Sequence, residues 1–194
     1  MPPDRMGPLV LASQSPRRKE ILTAAGIPFT VRLPRIAEIR ASGEAPRNYV
    51  QRLARQKAHA VPIEAGEIVL AADTTVVLDE HVLEKPRDPA DAVRMLTLLA
   101  GRGHQVMTGI CLRGAAGESI VDAAVTGVRF GPMSAAEIAA YAASGEPNDK
   151  AGAYAIQGLA SKFITGIEGC YFNVMGLPIS LVYRHLRSLW LRAR

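Results

Sequence analysis

The chain has 194 residues, 48% of them hydrophobic and only 5% aromatic, with a formal net charge of +5. That apolar content excludes a disordered chain and provides a core of Ala, Val, Leu and Ile. The positive balance points to acidic ligands, but scattered cations without an aromatic platform argue against stable nucleic-acid binding.

No apolar run approaches a membrane span. Residues 1–7 read as a flexible N-terminus, and Met1 to Pro8 lacks a signal-peptide core. Cys111 and Cys170 have no metal-ligand spacing and fit reduced thiols. A soluble, cytoplasmic protein without a membrane partner is the expectation.

Leu9 to Ala12 forms an aliphatic run suited to a buried strand. Ser15 is a good N-cap, Pro16 suits the first helical position, and Gly26 stops a helix carrying Ile21 and Leu22. Arg17, Arg18 and Lys19 crowd the first turn, where the helix dipole is already positive. A bound anion resolves that conflict, held by free N–H groups, the Ser13 and Ser15 hydroxyls and two guanidiniums. The competing reading is a solvated basic turn; the serines and the preceding buried strand favour the anion.

Phe29 to Leu33 reads as a short strand ended by Pro34, and Glu38 lies in the connection that follows. A helix is predicted over about Arg47–Val61, with Tyr49, Val50, Leu53, Ala54 and Ala58 inward. Arg47, Arg52 and Arg55 read as solvated, whereas Lys57 lies beside the apolar stripe. Ile68 to Ala72 is a second aliphatic run, followed by Asp73-Thr74-Thr75 and Val76 to Leu78. A carboxylate there is costly to bury unless paired or bound to a metal, which marks Asp73 as a candidate functional acid.

Asp79-Glu80 turns the chain into a hairpin strand, His81 to Leu83, and Lys85 follows in a polar loop. A helix from Pro89 to about Ala100 precedes a long hairpin, His104 to Leu112 and Ile120 to Phe130. Ser134 and Glu137 make a capping box for a helix to Ala143. In the stretch from Gly145 to Gly158, Asp149 and Lys150 form either a surface ion pair or part of a cleft with Gln157. The Gln157 carboxamide can read a base edge by donating and accepting together. A strand over 163–167 and an amphipathic helix to about Leu191 complete the chain.

Alternating helices and strands with a hairpin pair indicate a mixed α/β fold. Cations for a polyphosphate and carboxylates for a divalent metal are the ingredients of phosphoanhydride hydrolysis. No P-loop is present, and no Ser/His/Asp grouping suggests acyl transfer.

Six segments in order resemble the Maf family of nucleoside triphosphate pyrophosphatases: Ser13–Arg18, Arg52–Lys57, Ala72–Thr74, Glu84–Pro86, Asp149–Gly158 and Asn173–Pro178. The resemblance implies one Maf/ITPase-like domain over 1–194, an elongated mixed sheet flanked by helices, with two lobes around a deep cleft. It implies hydrolysis between the α- and β-phosphates, Asp73 as proton acceptor, and Lys57 and Lys85 as catalytic partners. Ser13, Ser15, Arg18, Lys57 and Lys85 would hold the phosphates, and Glu38 with Asp73 a divalent cation, Mg²⁺ or Mn²⁺. Arg17, Thr74 and Gln157 resemble the specificity set of the subfamily acting on dTTP and UTP, with Asp149 and Lys150 elsewhere in the cleft. Ala37 stands where the family commonly has a second acid beside Glu38. The resemblance also suggests a homodimer. The alternative is a regulatory nucleotide-binding protein acting through a division or repair partner.

Overall fold

The computed structural model describes residues 7–192. The predicted flexible N-terminus lies outside them, except for Gly7, which is partly buried. Strand β1 (Leu9–Leu11) is wholly buried and pairs in parallel with β2 (Thr30–Val31) and with β3 (Ile68–Leu78). β2 is shorter than the predicted strand because Pro28 and Pro34 flank it and its two residues are exposed.

β3 merges two predicted runs into eleven residues and passes through Asp73 without a break. Asp79 adopts a left-handed φ of 54° in the turn to β4 (His81–Leu83), which pairs antiparallel with β3. Aspartate tolerates that conformation better than most side chains. The sheet continues through β5 (Gly103–Gly114), β6 (Ser119–Phe130) and β7 (Ile164–Glu168), in the order β2-β1-β3-β5-β6-β7. It is mixed, as predicted, since β6 and β7 are antiparallel.

Among the described residues, six α-helices accompany it: α1 (Pro16–Ala24), α2 (Pro46–His59), α3 (Pro89–Leu99), α4 (Ala135–Ala143), α5 (Tyr171–Met175) and α6 (Ile179–Arg192). The starts of α1, α3 and α4 follow the sequence signals. Asp88 caps α3 by accepting from Asp91 N–H, and both halves of the Ser134–Glu137 capping box form at α4. The stretch after α4 takes three short 3₁₀ segments, Glu146–Asp149, Ala151–Ala153 and Leu159–Phe163. Gly145, Gly152 and Ala153 all take positive φ values there, which the glycines adopt without strain.

The chain divides into two compact units. The first comprises residues up to Asp73, Thr108–Ala124 and Gly176 onward; the second comprises Thr74–Met107 and Val125–Met175. In the first, Val10, Ala12, Val69 and Ala71 pack against Ala54 and Ala58 of α2. Gly109 is required there, because a Cβ would strike the backbone of Val50. In the second, Val76, Leu96, Leu99, Phe130, Ile138 and Tyr141 form the core. His104, Phe130 and Tyr154 meet edge to face, with centroids 4.9–5.3 Å apart. Burying each large apolar side chain contributes about 1.5–3 kcal/mol.

Candidate active site

The basic first turn of α1 is built as a network. Ser15 caps the helix by accepting from Arg18 N–H at 3.5 Å, and its own N–H donates to Ser13 Oγ at 3.2 Å. Arg18 Nη1 donates to Ser13 Oγ at 3.1 Å, and Nε donates to the Gly176 carbonyl at 2.8 Å. The guanidinium is thus fixed between two parts of the chain 158 residues apart. Burial pushes its pKa down, and the charge of Asp73 opposes that shift. No acidic residue lies in the first turn of α1, so Arg17 and Lys19 keep the end of the helix positive.

Lys57 comes from the buried side of α2, and the sequence distinguishes it correctly from the other cations of that helix. Its Nζ lies 2.6 Å from Asp73 Oδ1 and 2.8 Å from Glu38 Oε1. Asp73 and Lys57 are almost fully buried, whereas the Glu38 side chain is 47% exposed. Burial raises the Asp73 pKa above the usual carboxylate range, and the charge and hydrogen bond of Lys57 and the charge of Arg18 oppose it. Two carboxylates thus share one ammonium, with a second cation within electrostatic reach.

Arg52 corrects the expectation of a solvated helix face. Its Nε and Nη2 each lie 2.7 Å from a Glu44 carboxylate oxygen, and Nη2 donates to the Ile39 carbonyl at 2.9 Å. That bidentate contact holds the Glu44 pKa at about 2. Arg52 therefore braces the connection that carries Glu38. The pairing is invisible in sequence, because a charge eight residues away across a loop has no periodic signature.

Glu38 and Asp73 offer hard oxygen donors of the kind Mg²⁺ and Mn²⁺ prefer. Among the described residues, no group of three His, Cys, Asp or Glu side chains could hold a metal ion. Two carboxylates fit an ion that takes its remaining ligands from water and substrate phosphates, as Mg²⁺ commonly does.

The other expected residues belong to the second unit. Thr74 is half-buried on β3, and Lys85 is exposed in the loop after β4. The Glu84 carbonyl in that loop accepts from Gly152 N–H at 3.1 Å, tying the loop to the 145–158 stretch. Asp149 and Lys150 do form an ion pair. Lys150 Nζ also donates to the Glu146 carbonyl at 2.7 Å, so it closes the local turn as well. Gln157 is exposed. A separate groove of about 510 Å³ includes Asp79, Gly103, Gln105, Arg129 and Glu168 in its lining, and no expected site residue contributes to it. Cys111 and Cys170 are free thiols, and among the described residues no helix is long and apolar enough to cross a membrane.

A sequence model of the family described as Maf-like protein matches residues 8–189. A dTTP/UTP pyrophosphatase of Koribacter versatilis is 53% identical over 180 residues, covering 92% of this chain and 93% of the relative. One of an Anaeromyxobacter species is 52% identical, covering 92% and 88%, and one of Vibrio cholerae is 51% identical, covering 88% and 92%. Among solved structures, a HAM1 protein from Coxiella burnetii is similar with a TM-score of 0.43 and 20% identity, over 64% of this chain and 73% of that one.

Proposed function

The chain belongs to the Maf-like protein family, and we propose that it is a nucleoside triphosphate pyrophosphatase acting on dTTP and UTP. Water adds across the α–β phosphoanhydride, giving the nucleoside monophosphate and pyrophosphate. The observation that carries this reading is the buried Asp73 carboxylate, 2.6 Å from Lys57 Nζ, in a chain about half identical to proteins of that name.

Asp73 takes the proton of the attacking water. Burial strengthens it as a base, because its pKa moves from the ordinary carboxylate value toward working pH. Lys57 keeps it ionised and oriented, and stabilises negative charge that grows on the phosphates. Arg18 and the Ser13 and Ser15 hydroxyls take phosphate oxygens. The buried hydrogen bonds of Arg18 fix it beforehand, so little ordering is needed on binding. Lys85 adds a further cation for the polyphosphate. Glu38 and Asp73 would hold Mg²⁺ or Mn²⁺, which supplies neutralisation of phosphate charge when bound. With Ala37 beside it in place of a second acid, Glu38 carries that role without a neighbouring carboxylate.

Arg17, Thr74 and Gln157 select the base, and Asp149 and Lys150 support the nucleotide-binding stretch. A cytoplasmic homodimer belongs to the same reading, on the strength of the family likeness. Pyrophosphate release from dTTP and UTP with Mg²⁺ or Mn²⁺ tests it: turnover is expected in the wild type and lost in Asp73→Asn. Wild-type protein that binds dTTP without hydrolysing it refutes it.

A further inference from the structure

The charges gathered around Asp73 already balance one another. Lys57 Nζ lies 2.6 Å from Asp73 Oδ1 and 2.8 Å from Glu38 Oε1, so one ammonium serves two carboxylates. The second negative charge is met by Arg18, on which Asp73 and Glu38 both act favourably. Arg17 adds further positive charge beside it. With two cations on two anions, the cluster carries no net negative charge before any ligand arrives. All of these residues belong to the first unit.

That balance opposes a divalent cation in the nucleotide-free protein. The affinity of a carboxylate site for a hard cation follows the number of unmet ligand charges. Here an added ion would be a third cation on the same two carboxylates, leaving a double positive charge without a counter-charge. Asp73 is 6% exposed, so water does little to screen it. Whichever oxygens the ion takes, it meets the ammonium at close range, because both carboxylates are held on Nζ.

The same contact can be released. A lysine ammonium is a compact point charge on a flexible four-carbon stem, so it can change partners without moving its helix. The Glu38 side chain is 47% exposed and free to follow an incoming ion. A nucleoside triphosphate brings several negative charges, enough to give both the ammonium and a divalent ion partners of their own.

We infer that Lys57 is a resident counter-ion that keeps Mg²⁺ or Mn²⁺ off Glu38 and Asp73 in the free protein. It yields its place when a triphosphate supplies the negative charge that both cations need, so the ion loads with the nucleotide and not before it. This deepens the proposed function and rests on its reading of Glu38 and Asp73 as ligands of the ion.

The test measures metal binding itself. Mn²⁺ is titrated at pH 8 into nucleotide-free wild type, Lys57→Gln and Lys57→Met, and the unbound ion is counted by electron paramagnetic resonance. Lys57→Gln retains an N–H donor for Asp73, which guards against a Lys57→Met variant that folds poorly. Both variants should bind Mn²⁺ roughly tenfold or more tightly than wild type. Mn²⁺ should also raise the Tm of Lys57→Gln at concentrations that leave the wild type unchanged. A lysine that only orients the two carboxylates predicts the opposite sign, because its removal loosens the ligands and weakens binding. In parallel, the Mn²⁺ dependence of dTTP turnover is compared in wild type and Glu38→Gln. If Glu38→Gln needs more Mn²⁺ but Lys57→Gln binds the ion no more tightly than wild type, the inference alone is overturned. If Glu38→Gln needs no more Mn²⁺ than wild type, the reading of the ligands fails, and the inference with it.

Discussion

Replacing Lys57 by Met should be far more damaging than replacing Asp73 by Asn, although the two side chains share one contact. Lys57→Met removes the common partner of Asp73 and Glu38, 2.6 and 2.8 Å from its Nζ. Glu38 is half exposed and can turn to water, but Asp73 is 6% exposed and cannot. An uncompensated buried carboxylate costs about 3–5 kcal/mol. In a chain of this size that corresponds to a fall in Tm of roughly 6–20 °C. Asp73→Asn leaves Lys57 with Glu38 as a partner and should cost only about 1–2 kcal/mol.

The deficit of Lys57→Met should also depend on pH with a definite sign. Burial already raises the Asp73 pKa, and losing Lys57 removes the main opposing influence, so the folded value rises further above the unfolded one. The folded state of the variant then gains stability from proton uptake as pH falls through that raised value. Thermal and urea unfolding of both variants and wild type at pH 5.5 and 8 measure this, each read as a difference from wild type. Equal losses in the two variants, or a Lys57→Met deficit that does not shrink at pH 5.5, refute the reasoning.

His104 should make the protein acid-sensitive. Burial lowers its pKa to about 4, so between 6.5 and 4 the unfolded chain binds a proton that the folded one refuses. Stability is lost as pH falls through that window, by at most about 3 kcal/mol. Urea midpoints from pH 7.5 to 4.5 should flatten in His104→Gln. Gly109→Ala should destabilise by about 3 kcal/mol, since the new Cβ meets the Val50 backbone and no flexible side chain can yield; denaturant titration checks it. Arg52→Met should return the Glu44 carboxyl from about 2 toward its ordinary value, read by NMR titration. It should also speed amide exchange of the 39–44 connection by roughly tenfold or more.

Much of this architecture is legible along the chain because local signals agree with the tertiary outcome. Ser15-Pro16, Asp88-Pro89 and Ser134 with Glu137 all start helices, and aliphatic runs become β1 and β3. Lys57 and Asp73 stand out because each breaks the pattern around it, a cation beside an apolar stripe and a carboxylate inside a strand. Less legible are contacts that arise only when distant segments meet. The Gly176 carbonyl on Arg18, the Glu44 partner of Arg52 and the Glu146 carboxylate over Gly158 are set by where loops come to rest. Composition and periodicity carry no record of that. The three 3₁₀ segments after α4 escape for a similar reason, since glycine and proline mark an interruption but not its course.

The bond from Arg18 to Gly176 has a bearing on how the protein comes into being on the ribosome. The first unit is assembled from residues up to Asp73, Thr108–Ala124 and Gly176 onward, with the two pieces of the second unit synthesised between them. Until Gly176 has left the exit tunnel, the Arg18 guanidinium cannot make its 2.8 Å bond to that carbonyl. A product that stops short of Gly176 therefore carries an Arg18 guanidinium without that anchor.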